Sequence, residues 1–169
     1  NAPPPAGVTA SPGHWCGGQV IGYRIDYTAA LLAGSNRAKE QLRWNQAFSQ
    51  WSRASGGRYL FEYRGAADYP LTDAATTKSY PIDPDLVPEG EIAISYGVPS
   101  GQSGSKWDDY RHPTLADTLG FAGLGPISWS SGPQQSRITR AMIVMDAIDS
   151  EADPRTVPTP YVHEAGHAL

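Results

Sequence analysis

Trp44-Asn45-Gln46-Ala47-Phe48-Ser49-Gln50-Trp51 carries apolar side chains at i, i+3, i+4 and i+7, the spacing of one helical face. A helix is expected over residues 36–55, with Ser35 as its N-cap and Gly56-Gly57 as its stop. Its tryptophans read as core packing. On both sides of this helix the period changes to two. In residues 20–27, Ile21, Tyr23, Ile25 and Tyr27 point one way, and Gly22, Arg24 and Asp26 the other, as in a half-buried strand. In residues 58–64, Tyr59, Phe61 and Tyr63 share a face.

Working outward, residues 65–90 read as a long loop with several prolines and aspartates. Glu91–Gly97 alternates again through Ile92, Ile94 and Tyr96. A loop rich in Gly, Ser and Asp follows over 98–111, then a short Gly-rich edge strand over 118–124. Residues 138–146 are apolar nearly throughout and read as a central strand. Asp149, Glu151 and Asp153 mark a turn, and Thr159-Pro160 opens a last helix, since proline lacks only an N–H that the first turn does not use. Strand, helix, several strands, helix is an α+β order, with a mixed sheet packed on two helices.

The chain has 169 residues, enough for one domain with its own core, and carries a net charge of −4. Arg and Lys are scattered, so nucleic acid is not expected as a partner. No run is long and apolar enough to cross a membrane, and no membrane partner is expected. Asn1-Ala2-Pro3-Pro4-Pro5-Ala6-Gly7 has neither a charged nor an apolar signal region. Residues 1–18 read as an extended segment, the exposed start of a mature chain or a linker, ahead of a domain over 19–169. Scarce Lys with plentiful Gly, Ser, Pro, Tyr and Trp points mildly to an extracellular protein.

The last helix contains His163-Glu164-Ala165-Gly166-His167. Histidines four apart share one helical face, so both imidazoles can reach a single ion, and Zn2+ takes neutral imidazole nitrogen readily. Glu164 projects toward the same cleft and can take a proton from a zinc-activated water and pass it to a leaving amine, the needs of peptide hydrolysis. The plain alternative is a set of surface residues on an ordinary helix. Against it, the pattern lies where a helix start is signalled independently, behind the apolar Tyr161-Val162.

With these residues the chain resembles the metzincin zinc metallopeptidases, and within them the matrixins, the group of the matrix metalloproteinases. Beyond the zinc motif, Tyr23 to Tyr27 is similar to the family's first strand and Trp44 to Trp51 to its first long helix. Tyr59-Leu60-Phe61-Glu62 is similar to the second strand, Glu91 to Tyr96 to the third, and Met142 to Asp146 to the strand before the catalytic helix. The resemblance implies a secreted zinc endopeptidase acting on protein or peptide substrate, with His163 and His167 as ligands and Glu164 as general base. It implies a mostly parallel twisted sheet on two long helices, the N-terminal subdomain of that fold. It also implies substrate bound antiparallel along an edge strand at Leu119, Gly120, Phe121 and Ala122, where only backbone groups are needed.

The family's third ligand and its Met-containing turn would follow Leu169, so a C-terminal remainder or a separate piece is expected to complete the site. The isolated 169-residue chain is expected to have little activity. Phe121 and Val144 stand where the vertebrate members place histidines for a structural zinc, so no such zinc is expected. His14 and His112 are expected to be exposed. Asp108, Asp109, Asp146, Asp149 and Asp153 could hold Ca2+, although solvated turns are the preferred reading. Cys16, the single cysteine, could pair with a cysteine beyond Leu169, block the metal as a thiolate, or stay free and buried. Two other functions stay open: a zinc peptidase of another clan with the same short motif, and a secreted binding module that has kept the fold without catalysis.

Overall fold

The period-two and period-3.6 segments follow one another as β1 (Val20–Ile25), α1 (Thr28–Leu32), α2 (Arg37–Ala54), β2 (Leu60–Ala66), a 3₁₀ turn (Pro84–Leu86), β3 (Glu91–Gly97), β4 (Gly120–Leu124), β5 (Ile127–Trp129), β6 (Ser136–Ile138), β7 (Arg140–Asp146) and α3 (Thr159–His167). This is a computed structural model, and it describes residues 15, 18–71, 82–97, 120–124, 127–129, 136–147 and 159–169. The fold is α+β.

One five-stranded sheet runs in the order β2-β1-β3-β7-β4. Its first four strands are parallel, and β4 is antiparallel to β7. β5 and β6 pair separately, with Ile127 opposite Ile138. Helix α2 crosses from β1 to β2 and lays its predicted apolar stripe on the sheet. Phe48 stacks on Phe61 at 4.6 Å between ring centroids and meets Tyr23 at 4.7 Å, while Trp44 lies 5.7 Å from Phe48. Each such pair contributes about 0.5–1.5 kcal/mol beyond the area it buries.

Several details differ from the sequence reading. The N-cap of α2 is Asn36, whose Oδ1 accepts the Lys39 N–H at 2.9 Å, and not Ser35. Ser35 is freed to donate its hydroxyl to the carboxylate of Glu40. β2 begins at Leu60 and runs past Arg64 to Ala66. Its register against β1 slips between Tyr23 and Ile25, and Gly65 takes up the irregularity at φ 107, a left-handed conformation that favours glycine. The apolar run 138–146 is split at Thr139: Ile138 belongs to β6, and the Thr139 carbonyl accepts the Gly90 N–H. α2 spans 18 residues, and α3 spans nine of the described residues.

β1 is more deeply buried than a half-buried strand. Gly22 and Asp26, expected on the open side, are both buried. Near Gly22, Arg24 and Arg64 converge on the buried Glu91 carboxylate at 2.8 and 3.1 Å and cover that face with their stems. The Asp26 carboxylate accepts the N–H of Thr28 and that of Tyr69, both at 2.9 Å. The first of these bonds turns the chain into α1, a helix that hydrophobic periodicity alone does not signal. On the same side of the sheet, Tyr69, Ile82 and Val87 pack on Ala93, Met142 and Val144. The expected loop 65–90 therefore supplies a second core, and both faces of the central strands are covered, as a parallel sheet requires.

Candidate metal centre

α3 begins at Thr159-Pro160, as the proline implies. Tyr161, Ala165 and Ala168 are fully buried on its inner face, and Glu164 joins them at 6% exposure. His163 and His167 point outward and are exposed. Their rings stand edge-on with centroids 4.6 Å apart, and the two Nε2 atoms are 3.0 Å from each other.

That separation suits a shared ion. With Zn–N distances of about 2.0–2.1 Å, a tetrahedral angle puts two ligand nitrogens about 3.3 Å apart. At 3.0 Å the imidazoles need only a slight opening to hold one. Without an ion, a neutral imidazole can instead donate its N–H to its neighbour across the same gap. Glu164 lies beside the pair, and its buried Oε2 has no hydrogen-bond partner among the described residues. Burial raises its pKa above the usual carboxylate value, and His163 and His167 pull it back down. A carboxyl whose pKa is raised holds a proton more readily than a solvated one, as a proton-transfer group must.

The chain matches no known family model, no curated protein and no solved structure.

Among the described residues, long-range hydrogen bonds from Trp51, Trp15 and Tyr161 help hold α3 in place. Trp51 donates its indole N–H to the Val162 carbonyl at 2.7 Å, and Trp15, with no exposed surface, donates its own to the Ala168 carbonyl at 2.7 Å. The third contact is Tyr161, whose hydroxyl donates to Glu40 Oε2 at 2.8 Å. Trp15, Glu40 and the role of Tyr161 were not foreseen from the sequence. For Glu40 a signal exists: the stripe of Trp44, Ala47, Phe48 and Trp51, extended backward, falls on Glu40 and Arg43, an oppositely charged pair at i, i+3.

Gly166 sits where Trp51 leaves room for nothing larger. A methyl group there would meet Trp51 Cζ2 at 2.4 Å. The indole would have to move and release the Val162 carbonyl. Overpacking of about 1–3 kcal/mol and a lost hydrogen bond of about 1 kcal/mol outweigh a helix-propensity gain of about 1 kcal/mol. Gly166→Ala is therefore expected to destabilise the protein by about 1–3 kcal/mol in urea unfolding. Unchanged stability would show that the indole yields freely.

Of the residues expected to line a substrate strand, Gly120, Phe121 and Ala122 lie in β4, and Leu119 lies outside the described residues. β4 ends the sheet, pairs on one side with Met145, Val144 and Ile143 of β7, and contacts α3. Phe121 stands directly opposite Val144. Asp146, one of the calcium candidates, is buried at the end of β7. Asp108, Asp109, Asp149, Asp153, His14, His112 and Cys16 lie outside the described residues. Among the described residues no group of three or more His, Cys, Asp or Glu side chains is arranged to hold a metal, and no helix is long and apolar enough to cross a membrane.

Proposed function

We propose that the protein is a secreted zinc endopeptidase of the metzincin kind, matrixin-like, with residues 19–169 forming the part of its catalytic domain that carries the sheet, α2 and the metal helix. The observation carrying this reading is the 3.0 Å separation of the His163 and His167 Nε2 atoms beside a buried Glu164 oxygen that has no hydrogen-bond partner among the described residues.

The His163 and His167 side chains offer neutral nitrogen to the ion from one helical face. A bound zinc would polarise the scissile carbonyl and make a water acidic near neutral pH. Glu164 takes the proton of the attacking water and returns it to the leaving amine. Among the described residues β4 pairs on one side alone, so its other edge would give an extended peptide a row of backbone partners near α3, and the peptide would add as a strand. On this reading any further metal ligand comes from outside the described residues.

Zinc titration of the protein together with the segment expected to complete its site tests the reading. One zinc per chain is expected, with cleavage of a peptide that a chelator abolishes. His163→Ala is expected to lose stoichiometric zinc while keeping the far-ultraviolet circular dichroism of the parent. A folded protein that takes up no zinc would instead be a non-catalytic binding module.

A further inference from the structure

Glu40 is an unusual residue to find in a core. It is 1% exposed, and among the described residues four side chains donate to it. Oε1 accepts from the Ser35 hydroxyl and from Arg43 Nη1, and Oε2 accepts from the hydroxyls of Tyr96 and Tyr161 at 2.7 and 2.8 Å. Arg43 also donates to the Tyr161 hydroxyl at 3.2 Å and lies over its ring, 5.4 Å from the centroid. Trp44 donates its indole N–H to the Tyr96 hydroxyl at 2.9 Å and packs edge-on against Tyr161 at 4.9 Å. One carboxylate thus ties together the start of α2, the end of β3 and the first turn of α3.

We propose that Glu40 and Tyr161 are positioning residues for the metal helix: the buried carboxylate, acting through the Tyr161 hydroxyl, pins the first turn of α3 and so holds the His163 and His167 imidazoles on a common face. This rests on the metal-centre reading above. The first turn of a helix is marginal without tertiary support. Tyr161 precedes His163 by two residues and lies on roughly the opposite side of the helix, at about 100° of turn per residue. Close packing, as of Trp51 on Gly166, limits sliding and rolling, and a hydrogen bond adds direction. A hydroxyl held by a carboxylate that is itself fixed by three other donors admits one position. With side-chain tips about 5–6 Å from the axis, a roll of ten degrees moves an imidazole nitrogen by about 1 Å, comparable to the tolerance of a metal or catalytic constellation. Stability alone does not explain the arrangement, because buried ionic groups are often no more stabilising than apolar ones of the same shape, whereas fixing a single geometry is a use for them.

Two variants separate positioning from simple stability. Tyr161→Phe and Tyr96→Phe each remove one phenol that donates to the same Glu40 oxygen, but only Tyr161 is on α3. Zinc affinity is measured by competition with a chromophoric chelator, and site geometry by the visible absorption of the Co2+-substituted protein. Tyr161→Phe is expected to weaken zinc binding about tenfold, the lower end of what loss of an outer partner does to a metal site, and to alter the Co2+ spectrum. Tyr96→Phe is expected to lower the melting temperature comparably while leaving affinity within about twofold and the spectrum unchanged. Glu40→Gln, which keeps the side-chain shape, is expected to follow Tyr161→Phe. If both tyrosine variants lose zinc affinity alike, in step with stability, the positioning role is overturned. If the parent protein itself binds no zinc, the metal-centre reading fails and this proposal with it, an outcome visible before any variant is made.

Discussion

Glu164→Gln is expected to lower kcat/KM on a peptide substrate by about 10²- to 10⁴-fold, the usual contribution of a general base, with zinc binding and fold retained. Glutamine has the shape of glutamate and keeps one acceptor oxygen, but it cannot take the proton of an attacking water. The same change acts in the opposite direction on stability. Glu164 is buried, and its Oε2 has no partner among the described residues, so the charged form lacks the solvation it has in an unfolded chain. Its raised pKa has the same origin, burial first, with the two imidazoles opposing it. A carboxyl whose folded pKa lies above its unfolded value weakens the fold above the unfolded pKa, where the unfolded chain ionises more readily. At neutral pH the amide avoids that penalty. The signature is therefore a variant that is nearly inactive yet at least as resistant to urea as the parent. Activity within tenfold of the parent would remove Glu164 from the chemistry, and loss of zinc along with activity would mean that its role is structural.

The parts of the molecule that were legible in the sequence are those whose burial follows one simple period. β3 and the body of β7 read as strands because they are apolar on both faces or alternate cleanly, and the α2 stripe from Trp44 to Trp51 lands on the sheet as its spacing requires. The outward imidazole pair was legible because four residues of helix fix it. What was missed depends on side chains closing distances that no local window contains. Asp26 turns the chain into α1 and bonds to Tyr69, 43 residues away. Trp15 reaches Ala168 across 153 residues. Ser35 looks like an N-cap by residue type, yet its hydroxyl is drawn off by Glu40, and the neighbouring Asn36 caps α2 instead. Glu40 and Arg43 have the composition of a solvated helix start, and only the inward direction of the stripe reveals that they are buried.

Those same two residues set the largest stability effect expected outside the site. Glu40→Ala leaves the hydroxyls of Ser35, Tyr96 and Tyr161 and the Arg43 guanidinium without the acceptor they share, in a region closed to water. Removing one partner of a buried ion pair costs about 3–5 kcal/mol, because the remaining charge keeps its desolvation penalty and loses its compensation. Against a typical total of about 5–15 kcal/mol, that is a large share, and for a chain of this size it corresponds to a fall of about 6–20 °C in Tm. A cavity left by the missing side chain adds to the loss. Glu40→Gln separates the two contributions, because it fills the space and keeps an acceptor while removing the charge, and it is expected to fall between the parent and the alanine variant. The double variant Glu40→Met, Arg43→Leu removes both charges and keeps apolar volume. It is expected to recover part of the stability lost in Glu40→Ala, since apolar volume then fills the space and neither buried charge has to be compensated. If Glu40→Ala melts within about 3 °C of the parent, the carboxylate is not the closed hub that its four donors describe. If the double variant melts as low as Glu40→Ala, the loss comes from the phenols and the cavity, with Arg43 contributing little.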